Sequence, residues 1–189
     1  STGRAALLSN NHVFAWNIDT MPYKGLYGES ISQPGAADNF YFKDEVAKLE
    51  KWIDIKQIGN KIDAAYAIPT VDISEPNSCD LYTNKSEIPQ LGMNVRKAGR
   101  TTGCVNGIVE STDSLFFIDY KLNVGDSDVI LTALFDDIVV ISGDVPVSQP
   151  GDSGSMWVTS NGDNAISLNF AGTPDGTSIS CKATNIENL

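Results

Sequence analysis

Gly151-Asp152-Ser153-Gly154-Ser155 sets one serine between glycines in a short turn-forming string. Acyl transfer needs an exposed serine hydroxyl on a tight turn, with backbone N–H groups aimed at the place where a carbonyl oxygen becomes an oxyanion. Glycine on either side lets backbone and substrate approach without an intervening Cβ. Gly, Ser and Asp also favour turns for purely structural reasons, so the pentapeptide alone is equally an ordinary turn between strands. Catalysis requires a base and an orienting acid elsewhere in the chain.

The 189 residues contain one histidine, His12, in Leu8-Ser9-Asn10-Asn11-His12-Val13. The apolar residues before it and the polar residues around it predict a strand end followed by a tight turn. A lone histidine is also an ordinary surface residue. Asp63, in Ile62-Asp63-Ala64-Ala65, is an acid entering an apolar run, where a carboxylate loses hydration unless something donates to it. Taken singly, it reads equally well as a strand-edge acid. Together the three stand in the order His, Asp, Ser, separated by 51 and 90 residues.

In this order and spacing the chain resembles the chymotrypsin-like serine proteases, whose archetype has gaps of about 45 and about 93 residues. The string Leu8–Val13, with Gln33-Pro34-Gly35, Asp63-Ala64-Ala65, the run from Arg96 through Gly99-Arg100-Thr101-Thr102-Gly103, Phe170-Ala171-Gly172 and Ala183-Thr184-Asn185-Ile186-Glu187, is similar to the narrow leaf 1-like trypsin-like branch of bacteria and plants. The matches span nearly the whole chain. The resemblance implies an all-β, trypsin-like double β-barrel and a serine endopeptidase working through an acyl-enzyme. Ser153 is then the nucleophile, His12 the base and Asp63 the acid that fixes the imidazole, with the amides of Gly151 and Ser153 as the oxyanion hole. It also implies that Asp152 turns into the barrel to meet a cation. Arg96 is assigned that ion pair, with a solvated strand charge as its other reading. The primary specificity pocket takes Phe170, Ala171 and Gly172 as its wall and the neighbourhood of Val147 and Ser148 as its floor. Val147 stands where trypsins carry an aspartate, which predicts a small to medium apolar side chain in the substrate unless Asp175 reaches the rim.

Composition agrees with this class. At 41% hydrophobic residues the chain can bury a core. Short apolar runs bounded by Gly, Asn, Asp and Pro predict strands over 46–55, 63–68, 93–98, 104–111, 115–122, 129–135, 138–142, 155–159 and 166–170. A terminal helix is predicted to start within 185–189. The expected organisation is an N-terminal barrel over 1–78 carrying His12 and Asp63, a linker over 79–92 and a C-terminal barrel over 93–189 carrying Ser153. Only eleven residues precede His12, where family members have further strands. The first barrel is therefore expected to be incomplete, or completed by a separate segment or a second chain, since open sheets expose edges that invite pairing.

A formal charge of −11 argues against nucleic acid as a partner, and no apolar run of 18 residues predicts a membrane span. The expected partner is a peptide or protein substrate. No cofactor is expected, and with one histidine and no Cys-x-x-Cys no zinc site is either. Asp126 with Asp128, or Asp136 with Asp137, could bind calcium, although acidic turns are commonly just solvated. Three well-separated cysteines, Cys79, Cys104 and Cys181, suggest a reducing, cytoplasmic compartment, with one bridge and a leftover thiol as the other reading. A catalytically inactive trypsin-fold domain that binds peptides in its groove is the alternative to the enzyme.

Overall fold

The computed structural model describes residues 5–19, 21–35, 44–73, 79, 81, 83, 85–124, 127–162, 164–187 and 189. The N-terminal part forms one antiparallel sheet from β1 (Leu7–Ser9), β2 (Ser30–Gln33), β3 (Asp44–Trp52) and β4 (Ala65–Pro69), in the order β1-β4-β3-β2. Alternation in β3 sends Ala47 and Leu49 inward and leaves Val46, Lys48 and Glu50 only half-buried, while a register shift between Leu49 and Lys51 leaves Lys51 exposed. A single helical turn, α1 (Asn11–Phe14), follows β1 in place of the expected tight turn. Among the described residues β1 and β2 do not pair with each other, so this sheet stays open.

The C-terminal part does close. Strands β6 (Asn94–Gly99), β7 (Gly103–Val124), β8 (Ser127–Ser142), β9 (Met156–Thr159), β10 (Asn164–Gly172) and β11 (Ser178–Lys182) pair in the ring β11-β8-β7-β6-β9-β10. The β10–β11 pairing completes it, and β5 (Lys85–Ser86) adds in parallel to β10. Closure removes the exposed edges that an open sheet presents. Trp157, Val95, Val109, Val139, Ile141 and Ile166 fill the interior. A single helical turn, α2 (Ala183–Ile186), ends the fold, beginning two residues before the expected start.

Four expected strands are in fact two long ones. Residues 104–111 and 115–122 belong to β7, and 129–135 and 138–142 to β8. The Ser-Thr-Asp-Ser and Asp-Asp stretches have turn chemistry, but the chain uses them as irregularities in a continuing ladder. Asp137 there has a φ of 62°, and its carboxylate accepts from Lys182 and Asn185.

Beyond these irregularities the β7–β8 hairpin leaves its own barrel and lies against the N-terminal part. Asp136 N donates to Asn60 O at 2.9 Å and Leu134 N to Gln57 O at 2.8 Å. The largest apolar cluster joins Ile18, Met21, Ile55 and Ala64 to Tyr120, Leu131, Ala133 and Phe135 of the hairpin. The separate N-terminal cluster has only Ala15, Leu49 and Ala65 fully buried. The open sheet therefore shares its main core with the hairpin.

Cys79 and Cys104 form a disulfide with a Cα–Cα distance of 5.9 Å, tying the connecting stretch to the start of β7, while Cys181 is a buried free thiol. Disulfides persist in oxidising compartments, so the cytoplasmic expectation is not supported. Widely spaced cysteines meet here because residue 79 folds back on the β6–β7 turn. Of the linker 79–92, residues 80, 82 and 84 lie outside the described residues, as does Asp126. Among the described residues no three His, Cys, Asp or Glu side chains gather as a metal site, and no helix is long and apolar enough to cross a membrane.

Candidate active site

The three dispersed residues converge where the two parts meet. Ser153 Oγ lies 3.1 Å from His12 Nε2, and His12 Nδ1 lies 2.5 Å from Asp63 Oδ2. His12 sits on α1 at the end of β1, and Asp63 just before β4, the strand that pairs with β1. Buried asparagines fix this geometry. Asn10 Nδ2 donates to Asp63 O at 2.7 Å, and Asn11 Nδ2 donates to the carbonyls of Asn17 and Ile53. His12 is partly exposed at 19%, whereas the Asp63 side chain is wholly buried.

A carboxylate at full burial needs donors. Asp63 Oδ1 accepts from His12 N at 3.2 Å. Oδ2 accepts from the Tyr120 hydroxyl at 2.8 Å, besides the imidazole. Behind it, Asp63 N donates to Cys181 Sγ at 3.2 Å. Burial, then the charge of Asp63, pushes the Tyr120 phenol well above its ordinary value, so it remains a neutral donor.

Asp152 is buried on the side of Thr101, Thr102 and Lys97, and among the described residues its carboxylate collects five donors. These are Thr101 N at 2.8 Å, Thr102 N at 3.1 Å, Gln149 N at 3.1 Å, Thr102 Oγ1 at 2.8 Å and Lys97 Nζ at 3.1 Å. Burial raises the Asp152 carboxyl, but the threonine and lysine hydrogen bonds outweigh it and hold the group below its ordinary value. The cation is Lys97, not Arg96 as expected. Successive side chains on β6 point to opposite faces. Val95 and Lys97 face the barrel interior, while Arg96 lies on the other face near Cys79 and Cys104. Lys97 also stands 5.4 Å from the Trp157 ring centre.

The Gly151–Ser155 turn owes its shape to glycine. Gly151 has φ 100° and Gly154 φ 88°, and a Cβ on Gly154 would lie 2.4 Å from Ser9 Oγ. Among the described residues no acceptor takes the amides of Gly151 or Ser153. Beside Ser153 opens a cavity of about 150 Å³, lined by Ser148, Asn169, Ala171, Gly172 and Thr173 among others. Ser148, Ala171 and Gly172 are thus where the sequence put them. Val147 and Phe170 are not, because both point into the core, Val147 towards Trp157 and Phe170 towards Phe135. The floor is polar but neutral. Ser148 and Ser178 hydroxyls donate to Asn169 Oδ1 at 3.0 and 2.6 Å. Asp175 is outside the cavity, its carboxylate taken by Thr173 and Thr177.

No protein-family model and no curated protein matches the chain. Solved structures do. The Nocardiopsis protease superposes with a TM-score of 0.62 at 16% identity, over 100% of this chain and 84% of that one. Thermobifida fusca protease A gives 0.62 at 15%, over 98% and 82%, and Cellulomonas bogoriensis chymotrypsin 0.60 at 14%, over 96% and 80%. The fold is that of the chymotrypsin-like serine proteases. At these identities the likeness concerns fold alone.

The sequence alone assigned no role at the site to Lys97, Thr101, Thr102, Tyr120 or Asn169. For Lys97 a signal existed, since it shares the inward face with Val95 two residues before. Tyr120 gave none, because its contact with Asp63 depends on how far the hairpin reaches.

Proposed function

We propose that the chain is a serine endopeptidase of the narrow leaf 1-like branch, cutting peptide bonds through an acyl-enzyme on Ser153. The observation that carries this reading is the line from Ser153 Oγ through His12 to Asp63, at 3.1 and 2.5 Å. Ser153 Oγ attacks the peptide carbonyl carbon while its proton passes to His12 Nε2. Asp63 holds the Nδ1 proton and balances the imidazolium that forms. As the C–N bond breaks, the same proton passes to the leaving amine. Water then attacks the ester carbonyl carbon, giving a proton to His12; the bond from that carbon to Ser153 Oγ breaks, His12 returns the proton to Oγ, and the acid product leaves.

The amides of Gly151 and Ser153 serve as donors to the oxyanion, and Asp152 holds their loop through its own partners. Loss of one such donor typically costs about 100- to 1,000-fold in rate. The neutral floor of Ser148 and Asn169 favours a small uncharged side chain before the cut, since a charged one would lose hydration without a partner. The disulfide supports an oxidising compartment as the place of work.

The test is covalent labelling with a fluorophosphonate, which reacts only with an activated serine. Labelling of the wild type, lost in Ser153→Ala and in His12→Ala, is expected. A folded wild-type protein that stays unlabelled removes the enzyme reading and leaves the peptide-binding domain.

A further inference from the structure

We infer that Tyr120 is a positioning residue for this chemistry, its hydroxyl holding and polarising the Asp63 carboxylate from the β7–β8 hairpin. The inference rests on the proposed function and names a residue that the triad alone does not require.

Asp63 Oδ2 carries two short bonds, to His12 Nδ1 at 2.5 Å and to Tyr120 Oη at 2.8 Å. Among the described residues its other oxygen has only the longer bond from His12 N, at 3.2 Å. The phenol thus shares the oxygen that faces the imidazole. The Tyr120 ring also stands 5.7 Å from the imidazole, centre to centre, tilted by 53°, so it walls the base on one side. Tyr120 is 5% exposed and packed with Phe135. The groups facing Asp63 are therefore His12 from α1, Tyr120 from β7 and the Cys181 thiol from β11, the last accepting the Asp63 amide.

Two effects follow from this arrangement. The phenol fixes the carboxylate plane, and through it the direction in which Nε2 points at Ser153. It also draws negative charge away from the oxygen that stabilises the imidazolium. Deleting the hydroxyl concentrates that charge, favours the protonated imidazole and moves the loss of activity on the acid side to higher pH. A residue that merely packed would change neither quantity in this way.

The test uses Tyr120→Phe, which keeps the ring, with fluorophosphonate labelling followed over probe concentration and pH. The maximal labelling rate is expected to fall about 10-fold, the loss of one hydrogen bond to a charged group, with the half-saturating concentration unchanged. The acid limb is expected to move to higher pH. Should Tyr120→Phe fail to fold, wild-type protein made with 3-fluorotyrosine supplies a stronger donor at the same place, and its acid limb is expected to move to lower pH. A wild-type rate with an unmoved acid limb, or an unmoved limb in the fluorinated protein, overturns the role of Tyr120. In both cases the enzyme reading survives, provided the wild type labels and Ser153→Ala does not. Absence of labelling in the wild type overturns both.

Discussion

Lys97 Nζ lies 3.1 Å from Asp152 Oδ2, and neither side chain is exposed to solvent. This pair joins β6 to the residue immediately before Ser153. The shape of the serine turn therefore draws on a charge that belongs to the barrel itself.

Removing one partner of a buried pair leaves the other charge uncompensated, at a cost of about 3–5 kcal/mol. Lys97→Met is accordingly expected to lower the thermal midpoint sharply and to abolish fluorophosphonate labelling. Lys97→Met combined with Asp152→Asn should recover much of the stability while labelling stays low. Calorimetry with labelling on the same samples separates the two effects, and equal recovery of both would show that the pair does not shape the turn.

Because Asp152 titrates below its ordinary value of 3.8 in the folded protein, it binds fewer protons folded than unfolded just below that pH. Its contribution is fully present above pH 3.8 and is lost as pH falls through the depressed value. Wild type should be more stable than Asp152→Asn at neutral pH, and the gap should close on acidification below about pH 4. Thermal midpoints from pH 2 to 7 for both proteins measure this, and a gap that stays constant would rule it out.

Gly99 borders the same pair. A Cβ there would lie 2.4 Å from Asp152 Oδ1 and 2.7 Å from Lys97 Nζ. Gly99→Ala must displace one of them, and overpacking of this kind costs about 1–3 kcal/mol. Denaturant unfolding should register that loss, together with slower labelling of Ser153.

The Cys79–Cys104 bridge closes a separation of 25 residues. Such a cross-link contributes about 3–4 kcal/mol on a chain-entropy estimate. Reduction should lower the midpoint by a corresponding amount, and a thiol reagent should find Cys181 only after unfolding. Rapid reaction of the native protein with the reagent would contradict the burial of Cys181.

Much of the site was legible because its chemistry is local to short strings. Gly151–Ser155, His12 and Asp63 each stand beside residues that announce a turn, a strand end or a strand start. Most strand positions in the C-terminal barrel were legible as short apolar runs between turn residues, but β5 and β11, which complete that sheet, were not. What failed depended on the third dimension. Arg96 and Lys97 differ by one position, and the one cue between them, alternation with the buried Val95, points to Lys97. Val147 and Phe170 stand next to pocket residues in sequence but turn their side chains into the core. The irregularities in β7 and β8 have turn chemistry, and nothing local says that pairing resumes beyond them.

The reach of the hairpin over the N-terminal sheet sets an order on synthesis. Residues 1–78 leave the ribosome with Ile18, Ile55 and Ala64 still lacking the Tyr120, Leu131 and Phe135 side chains that cover them in the finished protein. Contacts spanning so many residues form late, since loop closure must precede them. We expect nascent chains stalled before residue 142 to be protease-sensitive throughout the first 78 residues, as limited proteolysis would reveal. Asp63 thus receives the Tyr120 hydroxyl, and His12 meets Ser153, only after the later strands are in place, so under the proposed function a half-made chain has no competent centre.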